Sequence, residues 1–233
     1  MVDKVASTVA EALAGIEDGS TVLIGGFGTA GIPEELIEGL LEQGASDLTV
    51  VSNNAGNADH GIAALLKAGR VRKIICSFPR QVDSFVFDEL YRHGRIELEL
   101  VPQGNLAERI RAGGAGIGAL YTRTGHGTLL AEGKETRRIG DKDYVLEFPI
   151  RADLALIKAE KGDRWGNLTF RKAARNFGPV MAMAARRTVA SVYSIVELGA
   201  IDPEAVVTPG IFVHAVVRID RKPTRAGGHR KAG

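Results

Sequence analysis

The chain of 233 residues contains a single cysteine, Cys76. An intrachain disulfide framework and a CxxC metal site are both excluded by that count. The residues around it, "VRKIIC", read as an apolar strand, so a buried, inert thiol is expected. Long apolar runs are missing too: none approaches the roughly 20 residues that span a bilayer. Five widely scattered histidines offer no metal-ligand spacing, and no metal is expected. The first twenty residues, "MVDKVASTVAEALAGIEDGS", carry acidic side chains and an amphipathic helical pattern. They lack the basic start and apolar middle of a signal peptide, so a cytoplasmic location is expected.

What is present suits one large α/β domain. Hydrophobic residues make up 45% and charged residues 25%, ordinary values for a soluble globular chain. The sequence pI near 8.7 does not indicate nucleic-acid binding, because the excess charge sits at one end. The last sixteen residues, "RIDRKPTRAGGHRKAG", hold six Arg or Lys against one Asp, and the other 217 residues together are net negative. Residues 1–217 are therefore expected to form the domain and residues 218–233 a flexible basic tail.

Strand-like runs alternate with helical patterns. "TVLIGGF", "LTVVSN", "KIICSF" and "IELELVP" read as strands, while "IPEELIEGLLEQ", "GIAALLKAG", "DSFVFDELYRHG" and "NLAERIRAGGAG" read as helices. The alternation predicts an open, mostly parallel sheet covered by helices. Residues 119–150 are richer in turn signals and predict short antiparallel strands. The α/β texture resumes in "ADLALIKAEK", "PVMAMAARRTVASVYSIVELG" and "IFVHAVVRI".

The stretch "GGFGTAGIP" invites a specific reading. Gly26, Gly28 and Gly31 spell GxGxxG, the dinucleotide-binding fingerprint. Two features oppose it. Pro33 belongs in a first helical turn, which starts the helix at Ile32 or Pro33 and leaves all of "GGFGTAG" in the loop. The next strand ends in Asn53 and Asn54, where a nicotinamide site needs an acid for the ribose. What remains is a strand, a glycine-dense loop and a helix N-terminus, able to present backbone N–H groups to an anion or a carbonyl.

With its flanks, "EDGSTVLIGGFGTAGIP" resembles the N-terminal signature of the family I coenzyme A transferases. The pattern is carried by Asp18, Gly19, Val22, Leu23, Ile24, Gly25, Gly26, Phe27, Gly31 and Pro33. "VSNNAG", the segment from "SFPRQVD" to "GALYT", "GTLLAEGKE", the segment from "KGDRWGN" to "MAMAA", and "VELGAIDPEAVVTPGIFV" resemble the A (alpha) subunit of that family. The likeness runs over nearly the whole chain.

The resemblance implies the CoA-transferase, or sugar-phosphate-isomerase-like, fold. It also implies transfer of CoA from succinyl-CoA to a 3-oxo acid, with 3-oxoadipate as the leading acceptor and acetoacetate as the alternative. CoA and succinyl-CoA would be substrates, and no permanently bound cofactor is expected. The family's nucleophilic glutamate lies in the B (beta) half, within a Ser-Glu-Asn-Gly-like motif. This chain has no Glu-Asn pair, so a B (beta) subunit is the implied partner, in an A2B2 assembly. Loop residues Gly25, Gly26, Phe27, Gly28, Thr29, Ala30 and Gly31 are the place the resemblance assigns to CoA. Asn53 and Asn54 are expected beside that loop, at a strand end. Gln103, in "VPQGN", is the leading side-chain donor for a carboxylate or oxyanion.

Other residues carry less. His126 in "RTGHGT" has no triad pattern around it and is read as a loop residue. Trp165 is read as a packed indole in a turn or as a contact with the partner. Arg171, Lys172 and Arg175 read as a solvated helical face. Two other classes remain open: a stand-alone sugar-phosphate isomerase or ligand sensor carrying its own acid and base, and a non-catalytic acyl-CoA-binding protein.

Overall fold

A computed structural model of the chain describes residues 2–221. The chain opens with β1 (Val5–Ala6) and α1 (Val9–Ala12). Then strands and helices alternate: β2 (Thr21–Ile24), α2 (Glu34–Gln43), β3 (Leu48–Val51), α3 (Ile62–Lys67), β4 (Val71–Cys76), α4 (Phe85–Arg92), β5 (Glu97–Leu100) and α5 (Gln103–Ala115). A small insert follows, of β6 (Leu120–Thr122), β7 (Thr136–Ile139) and β8 (Lys142–Glu147). The chain returns through β9 (Ala152–Asp163), β10 (Leu168–Thr169), α6 (Gly178–Ala184), β11 (Ala185–Val196) and β12 (Ala215–Arg218).

The main sheet runs β1-β12-β11-β9-β2-β3-β4-β5, and every pairing along that path is parallel. Only β10, antiparallel on β9, departs from it. This is the open, mostly parallel α/β sheet the alternation predicts. The central strands read as unbroken apolar runs because both faces are covered. Val22, Ile24, Val50, Ile74 and Leu156 pack with Leu36, Ile37 and Leu40 of α2, Leu65 of α3 and Phe87 of α4. The alternate residues Leu23, Val51, Ile75 and Ile157 face Leu106 and Ile110 of α5 and Met181 of α6. The glycine pair of α5 allows that second layer to close: a Cβ on Gly113 would meet the Ile150 carbonyl oxygen at 2.1 Å, and one on Gly114 the Met183 Cβ at 2.6 Å.

Residues 120–147 form a three-stranded antiparallel sheet, β6-β8-β7, as their turn-rich composition predicts. It is tied down at Glu147, which is 4% exposed. That carboxylate accepts from Lys134 Nζ at 2.7 Å and Asn105 Nδ2 at 3.3 Å, with Arg109 Nε at 3.8 Å. Arg109 also reaches Glu99 at 2.8 Å, and Lys73 reaches it at 2.7 Å. Burial opposes ionisation of Glu99, but those two cations outweigh it and hold the carboxyl below its ordinary range.

The N-terminus differs from expectation. Its first residues form a strand, because Val5 and Ala6 pair with Val216 and Val217 at the sheet edge. The helix that follows has four residues, starts on Thr8, whose hydroxyl accepts the Glu11 N–H at 3.1 Å, and is followed by a left-handed Gly15. At the other end, the boundary expected at residue 217 falls inside β12. Ile219 continues into the core with its N–H on the Val192 carbonyl, and Arg221 pairs with Glu160. The rest of the expected tail, residues 222–233, lies outside the described residues.

Candidate active site

The carboxyl ends of β2, β3 and β4 and the start of α5 surround an open cleft of about 930 Å³. This is the end of a parallel sheet at which α/β proteins place ligands. Phe27, Phe78 and Val82 supply an apolar wall, and all three are exposed. Asn53, Asn57, Ser77, Gln81 and Gln103 supply neutral polar groups, Gly28 a stretch of backbone, and Arg80 the one charge among the lining residues. A smaller hollow of about 440 Å³ at the opposite end of the sheet is lined by Glu17, Asp18, Asp153, Arg186 and Arg187. Arg186 pairs there with Asp153 at 3.8 Å and Arg187 donates to the Ala12 and Ala14 carbonyls; the hollow sits by the amino ends of the strands, away from the cleft.

The loop between β2 and α2 follows from its glycines. Gly26, Gly28 and Gly31 take φ of 127°, 58° and 71°, values that exclude most side chains. Phe27 and Ala30 exchange two backbone hydrogen bonds of 3.0 Å, which folds the loop on itself. The Gly25 N–H is held by the Leu156 carbonyl at 3.0 Å and the Gly26 N–H by Asn176 Oδ1 at 3.1 Å. Four of the seven loop amides are therefore engaged, two within the loop and two on the residues that hold it. Those of Gly28, Thr29 and Gly31 make no hydrogen bond among the described residues. The helix starts at Glu34, with Pro33 as its cap. Its first turn carries Glu34 and Glu35, and Glu35 is paired with Lys158 at 3.1 Å. The positive end of the helix thus already faces carboxylates, and the loop tip is what remains for a ligand.

The structure brings Asn53 and Gln103 together and leaves Asn54 apart. Asn53, 6% exposed, accepts the Ser77 hydroxyl at 2.9 Å and Gln103 Nε2 at 2.7 Å, both on Oδ1. With its oxygen so engaged, its amide nitrogen is the group left to donate. Asn54 is also buried, but its Oδ1 accepts the Gly56 N–H at 2.9 Å in a tight turn, and it does not line the cleft. Gln103 opens α5, two residues earlier than the helical pattern suggests.

Sequence reasoning missed two residues here. Asn176, 150 positions from Gly26, clamps the glycine loop: Oδ1 takes the Gly26 N–H, and Nδ2 donates to the Ala30 carbonyl at 3.0 Å. No local pattern signals so distant a partner. Arg80 falls within "SFPRQVD", but nothing in its spacing places it at the cleft.

The remaining candidates lie elsewhere. His126 is exposed in a turn, away from the cleft. Trp165 belongs to a turn built around Asp163, whose buried carboxylate accepts the Trp165 and Asn167 N–H groups at 2.9 and 3.0 Å. Its indole is half-exposed rather than packed. Arg171, Lys172 and Arg175 are exposed on a 3-10 turn, not an α-helical face. Cys76 is buried, and burial pushes its thiol up to about 12 despite a backbone hydrogen bond at Phe78.

Comparison with known proteins identifies the family. The chain is 67% identical over 219 residues to the A (alpha) chain of 3-oxoadipate CoA-transferase from Pseudomonas putida, covering 94% of this chain and 95% of that one. It is 52% identical over 224 residues to the corresponding chain of succinyl-CoA:3-ketoacid coenzyme A transferase from Xanthomonas campestris, covering 93% and 92%. Among solved structures, glutaconate coenzyme A-transferase from Acidaminococcus fermentans superposes with a TM-score of 0.84 at 21% identity, over 93% of this chain and 76% of that one. At that identity the likeness speaks for the fold. The family model for coenzyme A transferase matches residues 6–218, and the chain belongs to that family.

Proposed function

We propose that this chain is the alpha component of a two-component transferase that moves CoA from succinyl-CoA to 3-oxoadipate, in the cytoplasmic breakdown of aromatic compounds. One observation carries the reading. In a CoA-transferase chain, the cleft at the ligand-binding end of the sheet is lined by hydrogen-bond donors, an apolar wall and a cation, with no carboxylate among the lining residues. The site holds binding chemistry without a carboxylate nucleophile. A glutamate from a beta component, in an A2B2 assembly, completes it.

The chemistry divides accordingly. The partner's glutamate attacks the thioester carbonyl, giving an acyl-glutamyl anhydride and free CoA thiolate. The thiolate attacks the glutamyl carbonyl, releasing succinate and leaving CoA on the enzyme as a thioester. The acceptor acid reverses both steps. Each passes through a tetrahedral oxyanion that needs donors in place before charge develops. The amide nitrogens of Asn53 and Gln103 are assigned to that role or to the acid carboxylate. The Phe27–Ala30 loop tip, with the Gly28 and Thr29 amides, is assigned to CoA. Gly25, Gly26 and Gly31 act through the loop's shape, and Asn54 through the turn beside Asn53.

The 67% relative is named for 3-oxoadipate and supports that acceptor, while the succinyl-CoA:3-ketoacid relative stands at 52%. The test is CoA transfer from succinyl-CoA to 3-oxoadipate by the purified chain alone and by its complex with the beta component. Turnover in the complex alone is expected. Turnover by this chain alone would overturn the division of labour, and transfer to acetoacetate but not 3-oxoadipate would overturn the substrate.

A further inference from the structure

Arg80 is the single ionisable side chain among the residues lining the cleft. Its surroundings fix its direction. Nε donates to Asp88 Oδ1 of α4 at 2.6 Å, in a second hollow beyond the cleft wall. Its two terminal nitrogens make no hydrogen bond among the described residues. Arg80 is thus anchored from behind by a carboxylate and keeps one edge of a planar fork for a further anion. The pair itself is exposed and stabilises the fold little. Phe78 and Val82, either side of it in sequence, add apolar wall to the same cleft, and Asn53 and Gln103 provide neutral donors there.

A 3-oxo dicarboxylic acid differs from a 3-oxo monocarboxylic acid by one carboxylate at the end away from the reacting group. A cleft that prefers the first needs a donor for that carboxylate, set apart from the groups that handle the reaction. We infer that Arg80 is the specificity residue for dicarboxylic substrates: its terminal nitrogens receive the distal carboxylate, with the intervening methylenes against Phe78 and Val82. The same contact would serve the free carboxylate of the succinyl group. This inference rests on the transferase reading proposed above.

The test compares the native two-component enzyme with Arg80→Gln and Arg80→Lys, using 3-oxoadipate and acetoacetate as acceptors. In a double-displacement reaction, kcat/KM for the acceptor reports its own half-reaction, so an effect on succinyl-CoA does not confound it. Arg80→Gln is expected to lower kcat/KM for 3-oxoadipate by roughly tenfold to hundredfold, the range for a lost charge-assisted contact, mostly through KM. Acetoacetate should change by less than about threefold, the scale of a surface substitution, and this also verifies folding. Arg80→Lys should recover part of the loss, since it keeps charge but not the fork. Equal losses on both acids, or none on either, would overturn the assignment of Arg80 and leave the transferase reading standing. A wild-type complex that transfers CoA to neither acid would overturn that reading and this inference with it.

Discussion

Asn176 Oδ1 accepts the N–H of Gly26 at 3.1 Å, joining the glycine loop to a segment 150 residues further on. Gly26 is buried, so loss of that acceptor leaves a donor without water. Asn176→Ala is expected to destabilise the chain by about 1–3 kcal/mol and to raise the KM for acyl-CoA as the loop loosens. Asn176→Asp, which keeps the acceptor but not the donor to Ala30, should fall between. Chemical denaturation of both variants checks this; a wild-type midpoint for Asn176→Ala would mean the loop holds itself.

The pairing of Asn53 with Gln103 predicts a kinetic signature. Asn53→Ala in the two-component enzyme removes a donor and releases Gln103 as well. The expected fall in kcat is about 10²–10³, the range for loss of one preorganised oxyanion donor. A change confined to KM would assign the pair to ground-state binding instead.

Glu147 fastens the antiparallel insert to α5. Glu147→Ala leaves Lys134 and Arg109 without their buried partner, which is expected to cost about 3 kcal/mol. Hydrogen exchange should quicken in β6 and β8 before the main sheet responds. Uniform quickening, or none, would show that the insert is held by other contacts.

His214 predicts a dependence on acidity. Its Nδ1 accepts the Thr188 N–H at 3.1 Å, a bond available to the neutral ring. Burial first, then the charges of Lys4 and Arg187, keep it below the usual histidine value. The unfolded chain therefore takes up a proton at a higher pH than the folded one. The stability involved is fully present above about pH 6.5, the ordinary histidine value, and is lost as pH falls through the folded value. His214→Asn can place its Oδ1 where Nδ1 stands, so the melting temperature should depend less on pH between 7 and 5. Parallel wild-type and variant profiles would remove His214 from the account.

The sheet was legible because its strands and helices state their periods locally: four strand–helix alternations stand in order between residues 21 and 116. Both ends of that signal failed for physical reasons. Residues 5–6 become a strand through partners 211 positions away, and Gln103 joins a helix whose apolar pattern starts later. At the site, the glycine loop and the two strand-end amides announce themselves by residue type and place. Asn54 shares a strand end with Asn53, and only backbone geometry turns it to a turn partner. Arg80 and Asn176 act through tertiary neighbours, which no short window of sequence contains.

The edge pairing of Val5 with Val216 also sets a schedule. A ribosome adding about 5–20 residues per second needs roughly 10–40 s to make the chain between them. Throughout that interval β1 has no strand to pair with, because the sheet edge it will cover does not yet exist. β2 also waits for β9 but has β3 beside it meanwhile, whereas β1 pairs with β12 alone and is seated late. During translation it is a short segment open to chaperones, to proteases and to the unpaired edges of other nascent chains.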